Sequence, residues 1–416
     1  MLLDHSPAMR PIHFGPRLWS GTDGGPFPVV TSGIVHGNSI VLLGGDDANW
    51  EDRLAVVDAA TGRLNWQVRN LDKLPNGAGA ELWVPIAPQW PFVAGSGADW
   101  TLLVEYIRDN CEHPSGFCQN SPTQLTEEFG VAALSGRDGS VRWSTPLVAA
   151  VPSESPAADR DPTSTLVAAS DTTAIVSVYD RPRYSTDPAS PPTTVALDVT
   201  TGKQVWKRSG VTPQLLAGDT VLAWLASTPP NTGRRQAQTL VVLDSTTGKL
   251  RWRWPERLLP GGPIVAAGNT AVIPTIAAGR ISTLVIDLEK GREVATDLDD
   301  NEGSCAADDT SGGQPFVACA VGDFPDYHLA TFRGSDRHEG ISKAEIPSGR
   351  VEMAWQGYVF VASNSDRPDV AIDDAGNVLS ADVPGEVVDI NNEYAIFAFR
   401  EGSNGRNRYA VRRVGR

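Results

Sequence analysis

Leu54-Ala-Val-Val-Asp58-Ala-Ala-Thr61-Gly62-Arg-Leu-Asn-Trp66 is the phrase on which the fold of this chain turns. It opens with an apolar run of strand length. Asp58 and Thr61 follow, residue types whose side chains bond the nearby backbone and shape a turn. Gly62 supplies a positive φ where a Cβ would be strained. Trp66 then lies on the returning strand, its ring large enough to wedge against a neighbouring sheet. The phrase reads as a β-hairpin, and it recurs. The copies are Val131-Ala-Ala-Leu-Ser135-Gly-Arg-Asp-Gly139-Ser-Val-Arg-Trp143, Val195-Ala-Leu-Asp198-Val-Thr-Thr201-Gly202-Lys-Gln-Val-Trp206 and Leu240-Val-Val-Leu-Asp244-Ser-Thr-Thr247-Gly248-Lys-Leu-Arg-Trp252. A fifth, Leu284-Val-Ile-Asp287-Leu-Glu-Lys-Gly291-Arg-Glu-Val-Ala295, has lost the Trp.

Upstream of the copies lie further hairpins. Gly33 to Leu43 is two strands around Gly37-Asn38, Leu215 to Trp224 is two around Gly218-Asp219, and Ile264 to Ile273 repeats the pattern. Val351 to Val361 and Val387 to Phe397 are later copies, and Val167 to Val178 and Cys305 to Ala320 looser ones. Two hairpins make a four-stranded antiparallel sheet, the blade of a propeller, and a fixed repeat of such units buries each face against the next. Val370 to Leu379, with its turn at Gly376, is a weaker sixth copy of the second hairpin. Tyr327 to Ile346 holds an eroded seventh. Arg408 to Val414 is a lone final strand, and Pro16-Arg-Leu-Trp19-Ser reads as its missing Trp-bearing partner. The expectation is an all-β, eight-bladed propeller whose last blade is shared by both termini, which leaves no open edge. Seven blades is the alternative. Residues 1–15 are expected to be an irregular extension and 16–416 a single propeller domain. Trp19, Trp66, Trp143, Trp206 and Trp252 are the expected blade-packing residues. Asp58, Asp198, Asp244, Asp287, Gly62, Gly139, Gly202, Gly248, Gly291 and Gly376 are the expected turn residues.

The 416 residues carry a formal charge of −15. An acidic surface repels phosphate, which excludes nucleic acid as a partner and argues against direct docking on an anionic membrane. No apolar run reaches transmembrane length. Met1 to Gly15 lacks the basic and apolar regions of a signal peptide. An ectodomain with its anchor removed, or a soluble protein exported by another route, is therefore expected. The long inserts Arg108 to Phe129, Ser153 to Thr165 and Arg181 to Pro192 are rich in Pro, Ser or Asp and read as loops.

The 4 cysteines form two local pairs, Cys111 with Cys118 in a long loop and Cys305 with Cys319 across a hairpin turn. An even count in close pairs points to two disulfides and an oxidising compartment. Asp297-Leu-Asp299-Asp300-Asn301-Glu302-Gly303 alternates hard oxygen ligands in the manner of a calcium loop. Its Gly falls one place late and the closing bidentate Glu is absent, so a solvated acidic loop is the simpler account and no cofactor is expected. The 6 histidines include no pair at metal-ligand spacing. There is no phosphate-binding Gly-rich loop in a strand-to-helix context and no nucleophile elbow. Trp50, Trp83, Trp90 and Trp100 read first as packing residues and second as loop contacts.

The phrase Asp-x-x-Thr-Gly-x-x-x-Trp is complete at Asp58–Trp66, Asp198–Trp206 and Asp244–Trp252. It resembles the quinoprotein, or PQQ-type, propeller repeat over most of the chain. That resemblance implies either a quinone-dependent alcohol dehydrogenase or a cofactor-free scaffold of the BamB-like branch. The dehydrogenases carry adjacent cysteines over the quinone, a Ca²⁺ and a catalytic Asp on long inserts. This chain has no Cys-Cys pair, and the other residues find no counterpart. The reading is an extracytoplasmic binding scaffold, monomeric, without catalysis, whose protein partners in the cell envelope dock on the long loops. The alternatives are a quinone- or metal-dependent oxidoreductase and a carbohydrate- or peptide-sensing ectodomain.

Overall fold

The computed structural model describes residues 9–21, 26–27, 29–45, 53–71, 74, 80–83, 92–109, 127–148, 160–182, 192–225, 237–277, 280–298, 304–308, 315–321, 328–333, 336–338, 350–362, 369–373, 377–401 and 406–415. Among them the structure is all-β, an eight-bladed propeller of antiparallel sheets with one short 3-10 turn at Gly97–Asp99. Blade 1 is Val29–His36, Ser39–Gly45, Arg53–Asp58 and Leu64–Val68. Blade 3 is Arg160–Ala169, Thr173–Pro182, Thr193–Asp198 and Gln204–Ser209, and blade 4 is Val211–Ala217, Thr220–Leu225, Gln238–Asp244 and Leu250–Leu258. Blade 5 is Val265–Ala267, Thr270–Ala277, Arg280–Asp287 and Arg292–Leu298. Blade 6 is Cys305–Asp308, Phe316–Val321, His328–Arg333 and Asp336–His338, and blade 7 is Val351–Trp355, Tyr358–Val361, Asp369–Asp373 and Val378–Val383. In each, chain order is sheet order.

Two sheets depart from that plan. Blade 2 has six strands: Thr101–Asp109, Glu127–Ser135 and Val141–Val148 are joined by Phe92–Ala94, Ala80–Trp83 and Asn70–Leu71. Phe92–Ala94 and Ala80–Trp83 pair successive stretches of the same edge of Thr101–Asp109, so an interrupted chain supplies one inner strand. Blade 8 runs Glu386–Ile390, Tyr394–Glu401, Arg406–Gly415, and then His13–Ser20 from the other terminus. His13 pairs with Gly415 and Trp19 with Val411. The strand therefore takes in residues 13–15, and Ile12 just before it is fully buried, so order begins ahead of the extension boundary expected at residue 15. Contacts divide the chain into two compact units. Blades 5 to 8 lie in one (Met1–Leu42, Val57–Leu64, Leu259–Arg416) and blades 2 to 4 in the other (Leu43–Val56, Asn65–Leu258), with the strands of blade 1 divided between them.

The repeated phrase works in two halves. In its turn, Asp58 accepts hydrogen bonds from the Thr61 N–H at 2.9 Å and hydroxyl at 2.6 Å, and Asp198 with Thr201 and Asp244 with Thr247 repeat this. Blade 2 moves the acid: Asp138 accepts from Ser140 instead. In the strand half, each Trp leaves its own blade. The Trp19 indole N–H donates to Ala59 O, Trp66 to Gly136 O, Trp143 to Val199 O and Trp206 to Ser245 O, at 2.7–2.9 Å. Each ring lies over the motif Gly of that same turn. A Cβ on Gly62, Gly139, Gly202 or Gly248 would meet the ring of Trp19, Trp66, Trp143 or Trp206 at 2.4–2.7 Å. These glycines also hold φ between +66° and +72°, so two constraints exclude a side chain.

A β-bulge aims the Trp. In six blades one residue just before the Trp position has no strand partner: Leu18, Arg142, Val205, Arg251, Val294 and Leu379. An inserted residue breaks the two-residue alternation and sharpens the local twist. The side chain that follows is thereby turned toward the adjacent blade. The bulge persists in blades 5 and 7, where Ala295 and Ser380 stand at the Trp position.

Candidate interaction surface

Several acids of the inner strands are buried against an amide of the next blade. Glu105 of blade 2 accepts from Leu166 N of blade 3 at 2.8 Å, and Asp389 of blade 8 accepts from Val35 N of blade 1 at 2.6 Å. Burial pushes Asp389 up to about 6, against the pull of the Val35 and Ile390 amides. Glu352 is the bulge residue of the first strand of blade 7, and its side chain is 4% exposed. Burial, then repulsion from Asp369 and Glu386, raises it to about 7, while Arg350 and the Val387 amide oppose the shift. Arg350 itself pairs with Glu386 at 2.7 Å and stands 3.9 Å from Glu352. These groups tie blades together through backbone amides. Among the described residues no cluster of three or more His, Cys, Asp or Glu is arranged to hold a metal ion.

The outermost strands present a different chemistry. Each ends its sheet, so among the described residues its outer backbone edge pairs with no further strand. On blade 3 this strand and its turn bring Lys203, Lys207 and Arg208 against the turn acid Asp198, and on blade 4 Lys249, Arg251, Arg253 and Arg257 against Asp244 and Glu256. Among the described side chains, the outer strands of blades 5 and 7 hold Arg292, Glu293 and Asp382. The two basic strands adjoin: Trp206 docks on the turn at Ser245, and Arg208 donates to Gly248 O at 2.9 Å. Arg251 is committed within its own blade, to Asp219 at 2.6 Å and Asp244 at 2.7 Å. The Arg251 and Thr247 hydrogen bonds hold Asp244 down to about 2. Arg257 donates to Ala237 O. Lys207, Lys249 and Arg253 are exposed and have no ion pair among the described residues. Between them stand two exposed apolar side chains, Val205 at 48% and Leu250 at 44%.

The expected site residues fall as follows. Trp19, Trp66, Trp143 and Trp206 are buried in the next blade's turn, whereas Trp252 is half-buried and Trp254 is the buried ring of its strand. Trp100 is buried, with its ring against Gly136, and Trp50, Trp90 and the Trp83 side chain lie outside the described residues. Gly291 has φ +61° at the blade 5 turn, where Asp287 accepts from the Glu289 and Lys290 amides. In blade 7 the turn acid is Asp373, bonded by Asn377 through backbone and side chain, and Gly376 lies outside the described residues. Cys305 and Cys319 face each other across paired strands and form a disulfide. Cys111, Cys118, Asp299, Asn301 and most of the three long inserts lie outside the described residues, as does the Asp297 side chain at the end of blade 5. The buried acids and the basic edge were not singled out in the sequence. Lys249-Leu-Arg-Trp-Arg-Trp254 did carry a signal, a run of cations in a chain of charge −15.

A family model described as "Outer membrane protein assembly factor BamB" matches residues 123–253. No curated protein matches the chain by sequence. The computationally designed protein Ika8 is similar in structure at a TM-score of 0.52 and 15% identity, covering 95% of this chain and 99% of that one. BamB from Moraxella catarrhalis matches at 0.41 and 13% identity, covering 96% and 95%. Quinohemoprotein alcohol dehydrogenase ADHIIG from Pseudomonas putida HK5 matches at 0.49 and 10%, covering 97% and 76%. At these identities the likeness speaks to the fold alone.

Proposed function

We propose that this PQQ-type repeat propeller is a non-catalytic scaffold of the cell envelope that docks protein partners as a monomer. The observation that carries the reading is how the repeat residues are used. The Asp, Thr and Gly side of each phrase closes a turn, and the Trp side is taken up by the next blade. What remains to differ from blade to blade is surface, and a rigid scaffold with variable surface is suited to recognition. The family match over residues 123–253, which ends in blade 4, points toward envelope protein assembly. The Cys305–Cys319 disulfide fits an oxidising, extracytoplasmic compartment.

The test combines two measurements on the full chain. Thermal melting is followed with PQQ and Ca²⁺, together and separately, alongside dye-coupled oxidation of primary alcohols. No shift and no turnover are expected. A rise of several degrees with both ligands, or turnover, would replace the scaffold reading with the oxidoreductase one. In intact cells, a photo-crosslinking residue at exposed outer-strand positions should trap a defined set of envelope proteins identified by mass spectrometry. Cross-links to cytosolic proteins alone would refute the envelope assignment.

A further inference from the structure

We infer that the adjoining outer edges of blades 3 and 4 bind an acidic, extended polypeptide segment. The inference deepens the scaffold reading and rests on it, since it names a surface and the chemistry of its partner. Three observations converge there. The strands Gln204–Ser209 and Leu250–Leu258 each end a sheet, so the outer backbone edge of each pairs with no further strand among the described residues. Such an edge is a template for a further strand. Leu250–Leu258, at 9 residues, is the longest of the outer strands. A bulge at Arg251 interrupts it, and Pro255 has no N–H to offer, so its usable edge is the short stretch that follows the bulge.

Charge decides what kind of strand fits. Lys207, Lys249 and Arg253 are exposed and have no ion pair among the described residues, in a chain whose formal charge is −15. Cations on an edge repel the same edge of a second copy, so they oppose self-addition while admitting a strand that carries carboxylates. Val205 and Leu250 add apolar contact between the cations. A short segment also suits the patch better than a membrane or a duplex. An anionic lipid surface or a nucleic acid extends well beyond the Debye length of about 8 Å and meets the acidic remainder of the chain. A few residues of acidic strand meet only the basic edge. Carboxylates would pair with the two lysines and Arg253, and the peptide backbone would pair with the edge of blade 4 that follows the Arg251 bulge.

The experiment titrates the full chain into a fluorescein-labelled ten-residue peptide alternating Glu with Val, followed by anisotropy at low and at physiological salt. A peptide with Gln for every Glu is run beside it. Binding is expected for the acidic peptide, weakening with salt, and at least tenfold weaker for the Gln peptide. The triple variant Lys207→Glu, Lys249→Glu, Arg253→Glu should lose at least tenfold in affinity, and the matched Gln triple should lose less. Arg63→Glu on blade 1 should bind as the unsubstituted protein does. Melting curves check that each variant folds; should the Glu triple fail to fold, the Gln triple and the salt dependence carry the test. The inference is overturned by no binding, by equal binding of the Gln peptide or by equal binding to the triple variant. It is also overturned if phosphatidylglycerol vesicles or a DNA duplex bind the edge more tightly than the peptide, or if the chain dimerises through this edge. None of these outcomes touches the PQQ and Ca²⁺ measurement, so the inference and the scaffold reading fail separately.

Discussion

Blades 1 to 4 and blades 5 to 8 are built on one plan and fastened by different chemistry. The turns of blades 1 to 4 each receive a Trp from the preceding blade, with the ring over a glycine and the indole N–H on a carbonyl. Blade 5 ends in Ala295 and blade 7 in Ser380 at that place, although the bulge is retained. Other devices occur from blade 6 onward. The Cys305–Cys319 disulfide ties the first two strands of blade 6, and Ser304 donates to Val351 O of blade 7 at 2.8 Å. Phe14 of blade 8 packs edge-on against Phe397 at 4.8 Å and tilts toward Phe360 of blade 7 at 6.3 Å. The buried carboxyls Glu352 and Asp389 reach amides of blades 8 and 1. The difference teaches that the sheet, with its bulge in six blades, is the recurring unit of construction within this molecule, while the fastener is interchangeable.

The sharpest break in the comparison should come from Trp206→Ala. Removing a buried ring of this size costs about 3–5 kcal/mol, whereas Ser380→Ala at the equivalent place in blade 7 should change stability by about 0.5 kcal/mol or less. Urea unfolding of the two variants measures both, and equal losses would mean that the Trp is not the fastener. Next is the Cys305→Ala, Cys319→Ala pair. Its sequence separation of 14 corresponds to about 3 kcal/mol of loop-closure stabilisation. Hydrogen exchange should place the loss in blade 6 and leave blades 2 to 4 protected, and a uniform loss would contradict two separately fastened regions.

Glycine substitutions divide strain from collision. Gly202→Ala meets both a φ of +69° and the Trp143 ring at 2.4 Å, and about 2–3 kcal/mol of destabilisation is expected. Gly218→Ala has a φ of +56° and open space, so about 1 kcal/mol is expected. Comparable melting points for the two would show that ring docking adds nothing. The gentlest perturbation, since it changes no residue, is a change of pH. Glu352 and Asp389 are raised to about 7 and about 6 in the folded chain, above the unfolded values near 4. The folded state therefore binds more protons than the unfolded one between pH 4 and 7. Stability contributed by these groups rises as pH falls from 8 to 5, by on the order of 1–3 kcal/mol for each. Melting temperature should climb over that window, and Glu352→Gln with Asp389→Asn should flatten the climb. An unchanged slope in the double variant would assign it to the overall negative charge instead.

Most of this architecture is legible in the chain because its determinants are local. The apolar run before Asp58, the Asp–Thr turn and the Gly that must adopt positive φ each act within a few residues, and so does their recurrence at Gly139, Gly202, Gly248 and Gly291. The pairing of Pro16–Trp19 with Arg408–Val414 could be read for a related reason, since each stretch is half of a pattern seen whole elsewhere. The interaction surface was less legible. Lys207 and Arg253 are 46 residues apart in sequence, and an acid that neutralises a cation, as Asp219 does Arg251, is not marked as its partner in the sequence.

By itself the sequence determined the all-β class, the recurrence of the hairpin and the turns of its five clear copies, because propensity, alternation and the exclusion of a Cβ are short-range effects. Only the tertiary structure decided that each Trp belongs to the following blade's turn and that a bulge aims it there. It also decided that Cys305 faces Cys319 in register, that Glu352 and Asp389 are buried acids serving distant amides, and that the cationic outer strand of blade 3 docks on the turn of the cationic strand of blade 4. Those outcomes depend on which surfaces meet after the sheets pack, and burial, not residue type, sets both the pKa of an acid and the freedom of a cation to meet a partner.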